Sequence, residues 1–118
     1  MDENAPVFQL KHIGINHPDE SSAMDTAAEL CRIFNLQMKD NMSTHVFAGS
    51  LFEVKKNCEV GKLGHIGLRV ADMDAALTYL EGKGVHILPD TVRRDESGNI
   101  TFAYLDIEIA GFAFHVSL

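Results

Sequence analysis

The stretch Lys11-His12-Ile13-Gly14-Ile15 returns at an offset of 53 as Gly64-His65-Ile66-Gly67-Leu68. A second pair echoes it. Phe47-Ala48-Gly49-Ser50-Leu51-Phe52-Glu53-Val54 is matched by Ile109-Ala110-Gly111-Phe112-Ala113-Phe114-His115-Val116, at an offset of 62. Repetition on this scale decides architecture before any local reading, because each copy must be a supersecondary unit that packs against the other. The offsets differ by nine, so the second copy carries an insertion, and the polar run from Asp90 to Asn99 is its natural place.

Both copies have the same grammar. Residues 7–15 alternate between apolar and polar and end at turn signals, which predicts a strand. Pro18-Asp19-Glu20-Ser21-Ser22 offers N-caps for a helix whose apolar stripe is expected at Met24, Ala27, Ala28, Cys31 and Phe34. Short strands are expected near 36–39, 44–48 and 51–55. In the second copy residues 64–70 form the strand and Asp72 caps the helix. Met73, Ala76, Leu77 and Leu80 form the stripe, and Gly82 and Gly84 stop it. Strands are then expected at 85–88, 100–109 and 112–117. The expected fold is α+β in one domain over 1–118. Two βαβββ half-units, at about 7–57 and 63–118, meet near Val60-Gly61-Lys62 in a curved mixed sheet around a trough. A half-unit of this size is marginal alone, so the copies must pair.

Strand alternation assigns the faces. Ile13 and Ile15 oppose His12, Gly14 and Asn16. Ile66, Leu68 and Val70 oppose His65, Gly67 and Arg69. Phe52 and Val54 oppose Glu53, and Phe114 and Val116 oppose His115. The helices need the apolar faces, which leaves His12, Glu53, His65 and His115 to line the trough. Three imidazoles and one carboxylate suit a divalent transition ion: zinc, nickel, cobalt, manganese or iron. Gly14 and Gly67, each two positions after a histidine, leave space beside it. A solvated sheet face is the competing account, weakened because all four residues fall at repeat-related positions.

The chain has 118 residues, 46% hydrophobic and 23% charged, with a net charge of −7. An acidic balance argues against nucleic acid and anionic membrane surfaces, both of which need a basic face. The N-terminal segment Met1–Pro6 lacks the basic and apolar regions of a secretory signal, so a cytoplasmic location is expected. Cys31 and Cys58 have no paired spacing and read as free thiols.

At His-Ile-Gly-Ile (12–15), Phe-Glu-Val (52–54), His-Ile-Gly-Leu-Arg-Val (65–70) and Phe-His-Val (114–116) the chain resembles the vicinal oxygen chelate superfamily. That superfamily includes glyoxalase I, methylmalonyl-CoA epimerase, extradiol dioxygenases, and fosfomycin and bleomycin resistance proteins. More narrowly, it looks like the small glyoxalase-like modules associated with keto-hydroxyglutarate and keto-deoxy-phosphogluconate aldolases. The resemblance implies a glyoxalase-like fold, a homodimer, and metal ligands at His12, Glu53, His65 and His115. It departs at His115, where glyoxalase I and the epimerases commonly carry Glu. That leaves Glu53 as the one carboxylate for proton transfer.

The expected chemistry is a lyase or isomerase step on a small 2-oxo or 2-hydroxy acid. The ion would polarise the carbonyl, and Glu53 would move the proton. Arg69, on the face of His65, is expected roughly 7 Å along the strand from it, and to bind a substrate carboxylate or phosphate, unless it forms a rim salt bridge. Arg93 and Arg94, in the insertion, are expected as a solvated turn rather than as a loop closing over the trough. His17 is expected exposed, His45 and His86 have no repeat partners, and Tyr104 faces the trough only if its strand keeps register. A non-catalytic metabolite-binding module, associated with sugar-acid aldolase metabolism, is the alternative. A non-haem iron dioxygenase using two histidines and Glu53 stands behind both.

Overall fold

A computed structural model describes residues 3–118; Met1 and Asp2, part of the segment read as no secretory signal, lie outside it. The elements run β1 (Gln9–Ile15), α1 (Glu20–Phe34), β2 (Met38–Lys39), β3 (His45–Ala48), β4 (Phe52–Lys55), β5 (Gly64–Arg69) and α2 (Met73–Gly82). A 3₁₀ turn (Pro89–Thr91), β6 (Arg93–Arg94), β7 (Ile100–Ile109) and β8 (Phe112–Ser117) follow. The strands form one sheet in the order β2-β3-β4-β1-β5-β8-β7-β6. The first strands of the two copies join antiparallel at its centre. Each is flanked by the last strand of its own copy in parallel: Gly14 beside Glu53, and Gly67 beside His115.

Both helices lie on one face of this sheet. Ala23 and Ala27 of α1 pack on Val46 and Val54, with Met24, Leu30 and Met38 around them. Met73 and Ala76 of α2 pack on Val70, Leu105 and Val116. The apolar stripe of α1 is therefore rotated from the expected one. Ala28 and Phe34 are exposed and Cys31 is half-buried, while Ala23, outside the expected stripe, is fully buried beside Ala27. Alanines let the helix sit close to the sheet and carry little hydrophobic weight, so larger residues nearby misdirect a reading by periodicity. Asp19 and Asp72 cap the two helices by accepting from the amides of Ser22 and Ala75.

The expected strand at 85–88 survives only as one bridge, Ile87 to Leu105, held by Leu88 N–H to Tyr104 O (2.8 Å) and Asp106 N–H to His86 O (2.7 Å). Pro89, with no N–H to donate, then turns the chain into the 3₁₀ turn. β7 bulges beyond it, since its register against β8 shifts between Tyr104 and Glu108. The insertion is also ordered differently from the expected solvated turn. Arg93 and Arg94 form an edge strand against Phe102 and Ile100.

Candidate metal centre

The face without helices carries the polar residues. His12 comes from β1, Glu53 from β4, His65 from β5 and His115 from β8. His12 Nε2 lies 3.2 Å from His65 Nε2 and 3.1 Å from His115 Nε2. Glu53 Oε1 lies 3.4 Å from His65 Nε2, and its Oε2 is 3.9 Å from His12 Nε2. Three imidazole nitrogens therefore aim at one point, with the carboxylate on the His65 and His12 side. All four belong to one chain.

Two glycines make this convergence possible. A Cβ built on Gly67 would stand 2.6 Å from His115 Cε1, 2.8 Å from His115 Nε2 and 2.9 Å from His12 Nε2. One on Gly14 would stand 2.7 Å from His65 Nε2 and closer still to the Cε1 and Nδ1 of that ring. The repeat thus supplies a histidine and, two residues on, a gap: the one at Gly14 receives the ring of His65, and the one at Gly67 receives His115 and the tip of His12.

The donor set fits a divalent ion. Ligand nitrogens at about 2.0–2.1 Å from a zinc-like ion would be roughly 3.0–3.4 Å apart, which spans the observed separations. Without a cation, a neutral His12 Nε2 offers either one N–H or one lone pair to two close nitrogens. A cation at their common point satisfies all three lone pairs. Burial keeps the rings neutral, as ligands must be. It lowers His12 and His65 from the ordinary histidine range against the opposing pull of Glu53. It drives His115 down to about 3, with the charges of His12 and His65 adding to the effect. His115 Nδ1 is buried with no hydrogen-bond partner.

The surrounding trough encloses about 560 Å³. Tyr104 does face it, its ring centroid 5.1 Å from that of His115 and 6.1 Å from that of His65. Burial, then the charge of Glu53, pushes its phenol up to about 12, so it remains a donor at neutral pH. Arg93 stacks over Phe102 at 4.6 Å and reaches the same trough, in place of the expected solvated turn.

Two lysines were missed by the sequence reading. Lys55 is only 6% exposed and lies 3.8 Å from Glu53 and 3.2 Å from Glu59. Its signal was present, because alternation puts it on the face of Glu53. Lys11 had no such signal. A bulge between Leu10 and His12 inserts it into the register, so that Lys11 and His12, though consecutive, both line the trough. Lys11 Nζ donates to Ser117 Oγ at 2.9 Å.

Arg69 falls elsewhere. It is four residues beyond His65, about 13 Å along the strand, and lines an adjoining pocket with Lys11, His12, Lys39 and Phe47. His17, expected exposed, is half-buried; its Nε2 meets Thr26 Oγ1 at 2.7 Å and its Nδ1 lies near the carbonyls of Ile15 and Lys55. His45 lines the trough beside Thr44.

No family model matches the sequence, and no curated protein is significantly similar to it. Among solved structures, the chain is similar to methylmalonyl-CoA epimerase from Mycobacterium tuberculosis, with a TM-score of 0.52 and 18% identity. That match covers 99% of this chain and 91% of the other. A methylmalonyl-CoA epimerase in complex with methylmalonyl-CoA and NH4+ matches with the same TM-score and identity, over 93% of each chain. The fold is thus the glyoxalase-like one that the resemblance implies, built from the two βαβββ units expected from the repeat. Among the described residues, no helix is long and apolar enough to cross a membrane.

Proposed function

We propose that the protein is a metal-dependent lyase or isomerase acting on a small 2-oxo or 2-hydroxy acid, with His12, His65, His115 and Glu53 holding the ion. The observation that carries this reading is the convergence of three imidazoles in a shared trough, His12 Nε2 lying 3.2 Å from His65 Nε2 and 3.1 Å from His115 Nε2, with a carboxylate at its edge. The structural neighbours, both methylmalonyl-CoA epimerases, support the isomerase arm and add acyl-CoA thioesters to the substrates to be tried.

A divalent ion bound there would supply Lewis acidity to a substrate presenting adjacent oxygens. Glu53, less closely gathered than the imidazoles, would take the proton from the carbon beside the carbonyl and return it to the product, so that the carboxylate is regenerated. Lys55 holds the Glu53 carboxylate from behind and balances its charge as the proton moves. The Tyr104 hydroxyl donates toward oxygen on the opposite wall. Phe102 and Tyr104 exclude water there.

A binding module without turnover, of the aldolase-associated kind, is favoured by one observation. His115 stands where a second carboxylate would sit, so the trough centre holds a single proton-transfer carboxylate. The reading also includes a homodimer, supported by large apolar side chains left exposed, including Ile33 and Phe34 at 55% and 59%, and a cytoplasmic location, which rests on the sequence alone.

Elemental analysis of the purified protein tests the centre. One divalent ion per chain, lost in His65→Ala, is expected; stoichiometric metal retained in that variant would refute the ligand set. Deuterium uptake from solvent at the carbon beside the carbonyl, followed by NMR across a panel of 2-oxo acids, 2-hydroxy acids and acyl-CoA thioesters, then separates enzyme from binder. Iron with oxygen consumption on a catechol would move the protein to the dioxygenases.

A further inference from the structure

The chain carries 17 acidic and 10 basic residues, yet three cations gather around one depression. Lys11, Lys39 and Arg69 line a pocket of about 380 Å³ together with Phe47, Ser50 and His12. Among the described residues none of the three cations forms a salt bridge. Three unpaired positive groups in an acidic protein repel one another and attract an oxyanion of matching size.

Their placement follows from the sheet. Lys39 pairs with Phe47, and Phe47 with Glu53, so all three side chains belong to the trough face. Arg69 lies opposite Gln9 at the end of β5, and the bulge turns Lys11 to the same side. Lys11 and His12 line both this pocket and the trough that holds the imidazoles. The two cavities are therefore contiguous, and a ligand held at His12 continues directly into the cationic pocket.

We infer that this pocket is an oxyanion subsite that takes the distal phosphate or carboxylate of the substrate whose other end meets the centre. The assignment to a substrate tail rests on the function proposed above; the anion binding itself does not. Phe47 flanks the joint between the two ends, its ring centroid 6.2 Å from that of His12, and provides an apolar wall for the connecting carbons.

The first test uses metal-free protein and inorganic phosphate at constant ionic strength, because surface charge is screened by salt. Amide NMR should show saturable shifts confined to residues 10–12, 39, 47–50 and 69. Lys39→Met with Arg69→Met, both at exposed positions, should weaken binding roughly tenfold or more, while Lys62→Met should not. Absence of saturation, or shifts unchanged by the double substitution, would overturn the subsite. The second test uses metal-loaded protein and a six-carbon 2-oxo acid with and without a terminal phosphate. Tighter binding of the phosphorylated acid, lost in the double variant, is expected. Equal binding of the two acids with phosphate binding intact would overturn the tail assignment. Failure to bind metal refutes the centre instead and leaves the phosphate result standing.

Discussion

Replacing Gly67 by alanine isolates the geometry of the centre from the chemistry of its ligands. No ligand is removed, and Gly67 is not at a positive φ, so alanine adds no backbone strain. The new methyl group would fall 2.6 Å from His115 Cε1 and 2.9 Å from His12 Nε2. Relief to ordinary contact, about 3.5 Å, requires the His115 ring to retreat by roughly 0.9 Å and His12 by about 0.6 Å. Metal–ligand distances tolerate only about 0.2 Å. Two of the three imidazoles would therefore leave coordination range together, so affinity should drop by about 100-fold or more, beyond the usual effect of disturbing an outer-shell partner. The metal-free fold should lose about 1–3 kcal/mol, the usual cost of overpacking. Competition for Zn²⁺ against a chromophoric chelator measures the first effect and urea denaturation the second. Gly82→Ala is the control: nothing stands within 4 Å of its Cβ, and a helical glycine gains from the change. Wild-type zinc affinity in Gly67→Ala would refute the claim that the glycine makes room for the convergent rings.

Stability of the metal-free protein should fall on acidification below about pH 6.5. His115 is held near 3 in the fold by burial, below its unfolded value, so between those limits the unfolded chain binds the extra proton. The loss from this residue is about 1.4 kcal/mol per pH unit, full stability being kept above 6.5; His12 and His65, also lowered, add in the same direction. Urea midpoints at pH 7.5, 6.5 and 5.5 in the presence of a chelator check this, and a midpoint that stays level or rises on acidification counts against the buried neutral triad. At the β7–β8 turn, Ala110 takes a left-handed φ of 55° beside Gly111. Ala110→Asn should relieve that conformation and stabilise the fold by about 1 kcal/mol, read as a rise of about 4 °C in Tm; a fall would count against a left-handed residue at 110.

What the sequence disclosed and what it hid divide along a physical line. Alternation with period two and the duplication were enough to put His12, Glu53, His65 and His115 on one face, because a residue's side in a regular strand depends only on parity. Features that break regularity escaped. The bulge at Lys11 shifts parity at one position, and no residue type announces it. The short edge strand at Arg93 depends on pairing with β7 rather than on its own composition. Arg69 was placed on the correct face, but four residues of strand carried it past the centre. The stripe of α1 was misjudged because alanine, light in any hydrophobic count, was the residue that packs closest. The same division separates the centre from its walls. His12 and His65, Gly14 and Gly67, and Glu53 and His115 are repeat-related pairs, and together they build a site that is symmetric apart from the change at 115. Position 16, related by the repeat to Arg69, is an asparagine whose amide donates to the carbonyls of Val60 and Gly61. Lys11 corresponds to Gly64. A symmetric centre can gather a metal but cannot tell one end of a ligand from the other. That discrimination has to come from residues present in one copy alone. They form a cationic pocket on the Lys39 side of His12 and, on the far side, a wall of Arg93 stacked on Phe102.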